Sequence, residues 1–443
     1  MKTPIEKNFW RFVLPSMFTM LLSGLYTIVD GFFVGHAVGD VGLAAIGLVW
    51  PVAAVLMALG VGLGAGGSVM VAAARGAGEE EQAARARGNA MVLLALAGVA
   101  SAVVLVPACG MLARLLGARG EVYEAAVAYL RIIAMGGGMQ VLGAGLTPLI
   151  RGEGRTVAAM CIMGGGLVTN ILLDWTFTMA LPWGLGGAAM ATVLAQAVTA
   201  AAALCFLLPR LKPRDFKPEP RLIRRTAATA VAPFGLSLMP NLITVMSNFQ
   251  CLHYGGDTAV AAYSVANYFV ASAILLISGV GEGLQPLVSY AHGAADTRGK
   301  RALLRRGIGA VLACGLLFAL VTLPARTLLP QLFAASDEVA GLLRTAMPVF
   351  GAAFPLLAVG KLFISYFYAS GHTLWSSLLV YGDPLVFSPV ALLILPRWGG
   401  LTGVWAALPV AQALVLLLLA VLLARDKISK KGASYDAVAR SEY

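Results

Sequence analysis

Apolar residues run through this 443-residue chain in long blocks separated by short polar clusters. A helix that crosses a bilayer needs about 20 apolar residues. Twelve blocks reach that scale, near 9–34, 43–73, 89–109, 122–147, 156–180, 185–208, 226–252, 258–290, 307–329, 339–367, 374–395 and 401–424. Gly and Pro fall inside several of them, at Pro51, the Gly60–Gly67 series, Pro240, Pro286 and Pro384. Neighbouring helices can satisfy the backbone groups that such residues release, so the blocks still read as spans. The pattern predicts an all-α polytopic membrane protein with twelve transmembrane helices.

The blocks also repeat. Gly62, Gly64, Gly66 and Gly76 correspond, 217 residues later, to Gly279, Gly281, Gly283 and Gly293. Gly39-Asp40 maps onto Gly256-Asp257 and Gly154 onto Gly371 at the same shift, while Gly187 and Gln196 map onto Gly403 and Gln412 at a shift of 216. The chain begins again after six spans with unchanged topology, which makes this a parallel repeat about an axis along the membrane normal. The predicted organisation is a six-helix lobe over 1–208, a cytoplasmic linker over 209–225, a second six-helix lobe over 226–424 and a cytoplasmic tail over 425–443. Two such lobes suit a secondary transporter that rocks between inward- and outward-open states. No Walker A pattern occurs, which argues against nucleotide hydrolysis and gives no reason to expect an enzyme.

Composition agrees with the pattern. Hydrophobic residues make up 59% of the chain and charged residues 12%, against roughly 25% charged in soluble proteins. The formal charge of +11 sits in short clusters between apolar runs, without interleaved aromatics, which excludes a nucleic-acid groove as the reading. Arg75, Arg85 and Arg87, Arg151 and Arg155, the Arg210–Arg225 cluster, Arg298–Arg306 and Arg425–Lys431 all fall on one side of the predicted membrane. Only Arg114, Arg119, Arg326 and Arg397 fall in loops on the other side. The positive-inside rule then places both termini in the cytoplasm of a multi-pass cytoplasmic (inner) membrane protein. The five cysteines are odd in number and match no metal spacing, so neither a disulfide framework nor zinc is implied. Lys2 and Lys7 lead into a first run too long for a cleavable signal.

Candidate chemistry rests on the few charges left inside the spans. Asp174 is the only charged residue between Arg155 and Arg210, and Asp30 the only one between Arg11 and Asp40. A carboxylate at membrane depth costs about 2.5–3.5 kcal/mol on insertion scales. Counting a 1.5 Å rise from Arg11 puts Asp30 roughly 28 Å up, and Asp174 reaches a similar height from Arg155. Asn170 lies one turn below Asp174 on the same face. Tyr129, Thr192 and Tyr26 fall at comparable depth. Such a set suits a hard cation such as sodium, or a proton. The second lobe carries Glu282, Lys361 and Asp383, and opposite charge at matching depth pairs Lys361 with Asp383 or Glu282.

Several segments resemble the multidrug and toxic compound extrusion (MATE) family, in its bacterial multidrug-export branch. They are Tyr26-Thr-Ile-Val-Asp30-Gly-Phe-Phe-Val-Gly35, Gly152-Glu-Gly-Arg155, Gly184-Leu-Gly-Gly-Ala188 and Gly283-Leu-Gln-Pro286. The resemblance implies an antiporter that exports amphipathic organic cations against inward flow of sodium ions or protons, with no cofactor beyond that coupling ion. It implies a cation site at Asp30, Asn170, Asp174 and Thr192, with Tyr26 and Tyr129 around the pocket. Because one chain already contains both lobes, a monomer is the expected working unit. A lipid or lipid-linked oligosaccharide flippase of the same superfamily is the alternative, and the mainly acidic in-membrane charges favour organic cations over a pyrophosphate. The chain departs from the branch in its second lobe: Glu282 stands where many members carry Gln, Ala369-Ser-Gly-His-Thr373 replaces a Gly-Lys turn, and Val380-Tyr-Gly-Asp383 lacks a usual Arg.

Overall fold

The computed structural model describes residues 8–441 apart from 182 and 334, and the side chains of 26–32, 34–40, 43 and 426–441 lie outside the described set. Among the described residues there is no strand. The α-helices are α1 (Phe9–Gly76), α2 (Glu80–Leu115), α3 (Gly120–Met135), α4 (Gly137–Gly152), α5 (Thr156–Asp174), α6 (Gly184–Leu207), α7 (Pro220–Gly293), α8 (Thr297–Leu332), α9 (Asp337–Ala369), α10 (Thr373–Gly382) and α11 (Ser388–Ser441). Helix is the expected answer for such runs, because in hydrocarbon every backbone polar group must find its partner within the segment.

Eight rods among the described residues are long and apolar enough to span a bilayer, or nine when α3 and α4 are taken together across their 56° bend. Two rods are double: α7 breaks at Gly256 (φ 64°, ψ −162°) and α11 at Gly400 (φ 53°, ψ −133°). The shorter apolar stretch Phe9–Leu25 at the start of α1 brings the total to the predicted twelve. The protein is thus an all-α, polytopic, twelve-helix membrane protein with two six-helix lobes. The predicted span 122–147 corresponds to the bent pair α3–α4, with Gly136 at the joint. Outward faces are apolar, as contact with lipid requires. On α2, Leu96, Val99, Val103 and Val104 are each more than 60% exposed, a row that would be a liability in water.

The chain forms two compact units, Met1–Asn241 with Leu275–Gly307 and Tyr368–Thr373, and Leu242–Ile274 with Ile308–Phe367 and Leu374–Tyr443. The core of the first is aliphatic and small, built on Leu56, Leu94, Leu130, Ile133, Leu146, Leu149 and Ile150. Aromatic rings dominate the second: Phe350 meets Trp405 edge-on at 5.7 Å, and Phe269, Phe318 and Phe354 surround one another. The proline-rich segment after α6 forms two short 3₁₀ turns and is fastened to α2. Asn89 donates to the carbonyl of Lys217 at 3.1 Å and accepts from the amide of Glu219 at 2.7 Å.

The repeat is visible in the backbone. Gly154 and Gly371, 217 residues apart, both take positive φ (79° and 86°), as do Gly184 and Gly400 at 57° and 53°. Gly78, at φ 82°, has Ala295 as its counterpart, and Ala295 is the positive-φ non-glycine of the described chain. The local geometry of these turns therefore follows position in the repeat even where the residue differs.

Within the first unit the two repeats pack on each other through matched small-residue contacts. A Cβ on Gly62 would press on Phe234, and one on Gly279 would press on Met17, which is the position equivalent to Phe234. Gly66 lies against Ala230, and Gly283 against the equivalent Val13. Gly76 abuts the carbonyl of Tyr290 while Gly293 abuts that of Ala73, again an equivalent pair. Ser68 donates to Gln285 Oε1 at 3.1 Å, and these two residues are each other's counterparts. A contact between equivalent residues marks a pseudo-twofold axis, the internal version of an isologous interface. Glycine there permits the close backbone approach by which membrane helices pack without a hydrophobic driving force.

Candidate functional site

Asn170 and Asp174 stand one turn apart on α5, and both side chains are fully buried. α5 packs between α1 and α6, and a π-helical turn, Trp175–Ala180, follows Asp174 directly. Thr178 in that turn donates to the Asp174 carbonyl at 2.6 Å, which replaces part of the α-helical bonding lost to the wider turn. Among the described residues neither end of the Asn170 amide finds a hydrogen-bond partner. Buried amides are nearly always paired, so this one marks a place where an ion, a water or a moving side chain belongs.

The remaining first-lobe candidates fall on neighbouring helices. Thr192 is half-buried on α6, and Tyr129 is almost fully buried on α3 within the apolar core of the first unit. Asp30 and Tyr26 belong to α1, but their side chains lie outside the described residues. α1 does pack on both α5 and the π-turn after Asp174.

The second-lobe candidates separate. Glu282 lies in the first unit and forms an ion pair with Arg151, a partner that depth alone did not single out. Lys361 and Asp383 lie in the second unit, half-buried, with Asp383 the carboxylate whose charge acts on Lys361. Asp383 opens a second π-helical turn, Asp383–Phe387, and both of its oxygens are engaged. Ser388 Oγ donates to one at 2.7 Å and Gln412 Nε2 to the other at 2.7 Å. Each lobe thus carries an aspartate at the mouth of a π-turn, a distortion common at functional sites.

Ser388, Gln412 and Arg151 were not among the residues singled out from sequence. Gln412 carried a signal, because it is the repeat partner of Gln196. In both lobes this glutamine lies against a glycine at the equivalent position, Gly143 in one and Gly360 in the other. A further buried pair, Arg87 with Glu153, sits beside the Gly152-Glu-Gly-Arg155 turn, and Arg75 donates to the carbonyl of Glu153.

Comparison with known proteins bears on what this arrangement serves. The multidrug export protein MepA of Staphylococcus aureus (strain N315) is 26% identical over 441 residues, covering 97% of this chain and 96% of the relative. The solved outward-facing structure of a multidrug resistance MATE family transporter of the MOP superfamily superposes with a TM-score of 0.90 at 26% identity, covering 97% of both chains. A MOP superfamily transporter from Pyrococcus furiosus, described with a binding pocket of reversed polarity that suggests a different function, matches with a TM-score of 0.89 at 26% identity over 97% of both chains. The MatE family profile matches residues 15–176 and 234–381, one segment in each half of the repeat. The chain belongs to the MatE family.

Proposed function

We propose that this protein is a secondary antiporter that exports amphipathic organic cations across the cytoplasmic membrane, driven by inward flow of sodium ions or protons. The observation that carries the reading is the fully buried Asn170–Asp174 pair on α5, with an amide left without a described partner in a helix packed on α1. A buried carboxylate in a membrane helix is retained where it binds or releases a cation. The multidrug export relatives support drugs as the substrates, and the first lobe supplies the oxygen set: Asp30, Asp174, Asn170 and Thr192, with Tyr26 and Tyr129 shaping the pocket.

The mechanism follows from linkage. A coupling ion at Asp30 and Asp174 favours one arrangement of the first-lobe helices, and drug favours the other. The two sites then oppose each other by the difference in affinity between the two states, and the effect is reciprocal. Both termini face the cytoplasm in this reading, and a single chain, holding both lobes, is the working unit.

The test is efflux of a fluorescent lipophilic cation from proteoliposomes under sodium and proton gradients imposed one at a time. At least one gradient is expected to drive transport in the wild type, and Asp30→Asn or Asp174→Asn to abolish it while the protein still inserts. Wild-type rates in both variants, or transport indifferent to both gradients, overturns the proposal.

A further inference from the structure

The seam between the repeats is symmetric in every contact described above except one. Glycine-to-backbone contacts recur on both sides of the axis, and Ser68–Gln285 maps onto itself. The Arg151–Glu282 ion pair has no counterpart, because the positions equivalent to Arg151 and Glu282 are Tyr368 and Ala65, both buried and uncharged. We infer that Arg151 and Glu282 form a one-sided ionic latch that holds the two repeats together at their arginine-rich ends and so positions the protein in the state closed on that side. The inference rests on the proposed alternating-access transport and on the proposed orientation.

Three features support a latch over an incidental contact. Both side chains are withdrawn from solvent, at 3% and 12% exposed. Loss of one partner from such a pair leaves an uncompensated buried charge, a larger penalty than any neutral contact in the seam contributes. Arg151 is also held in place. The next residue, Gly152, packs on Ser68 at the axis, and Glu153 binds Arg87 through its carboxylate and Arg75 through its carbonyl. The arginine side is thus anchored within the first repeat, and Glu282 is the member carried on the second.

The rest of the seam suits separation. Small-residue packing of helix on helix depends on shape, so it is made or lost as a whole surface. When the surfaces part, water solvates both ions and the desolvation penalty of the closed state disappears. One ionic contact across an otherwise neutral surface therefore tunes the balance between closed and open.

The reporter is a cysteine at Ser68, buried at the axis, in a chain whose five native cysteines are replaced. Modification by a membrane-impermeant maleimide is timed in inside-out vesicles. Glu282→Gln and Arg151→Gln are each expected to speed labelling roughly tenfold, and the exchange Arg151→Glu with Glu282→Arg to return it toward the reference rate. Equal rates in all variants in both inside-out and right-side-out vesicles overturn the latch, as does an exchange variant that labels as fast as the single ones. If the single variants do not insert, Glu282→Asp keeps the charge, shortens the reach and is expected to speed labelling as well; an unchanged rate there overturns the latch too. Faster labelling only in right-side-out vesicles leaves the latch standing and overturns the orientation. Labelling needs no substrate, so failure of the transport assay is read separately.

Discussion

Two aspartates in this protein share a local device and differ in their surroundings. Asp174 is fully buried beside Asn170 and next to helices that carry the other first-lobe oxygens. Asp383 is only half-buried, yet both of its oxygens are held by Ser388 and Gln412. A carboxylate so fully engaged is suited to holding three segments together. Asp383→Ala is expected to lower stability by about 1.5–3 kcal/mol, the usual range for hydrogen bonds to a charged group. Asp383→Asn should lose less, because its amide oxygen still accepts one of the two bonds. Thermal unfolding in detergent measures both, and an unchanged midpoint for the alanine variant would remove Asp383 from that role.

At the scale of elements, the breaks in the long rods matter as much as the rods. Gly256 combines φ 64° with ψ −162°, a region open to glycine alone, and there α7 divides into its two spans. Gly256→Ala is expected to cost about 1–3 kcal/mol and to reduce the folded protein recovered from membranes. Gly309, helical in α8 with open space around it, serves as the control, and Gly309→Ala should be neutral or mildly stabilising. Matching losses from the two substitutions would show that glycine content, and not this bend, is what counts. The bend between α3 and α4 was not legible as a break, because the run over 122–147 carries Glu124, Arg131 and Gln140 but no polar cluster at the joint, and its glycines resemble those of unbroken spans.

For the whole molecule, the repeat supplies most of the architecture and topology supplies the direction. The arginine-rich turns at Glu79 and at Gly154 belong to the side assigned to the cytoplasm. Trp398, 86% exposed between the last two spans, belongs to the other. An impermeant maleimide applied to intact cells should therefore label a cysteine placed at Trp398 and leave one placed at Glu79 unmodified. The reverse pattern would invert the orientation and, with it, the direction of export.

Apolar runs determined that the chain is helical and that it crosses a membrane twelve times, because the bilayer fixes span length and backbone satisfaction fixes the helix. Glycines matched at a shift of 217 determined that its halves repeat. The same apolar runs singled out Asp30 and Asp174, since a carboxylate in an apolar run is costly wherever the run packs. Partner choice was decided only by the tertiary structure. Glu282 and Lys361 carry opposite charges at matching depth along the chain, yet Glu282 binds Arg151 and Asp383 is held by Ser388 and Gln412. Depth counts residues along one axis, whereas pairing depends on which helix faces which, and for Glu282 that is set where glycine-tight packing brings together segments more than a hundred residues apart.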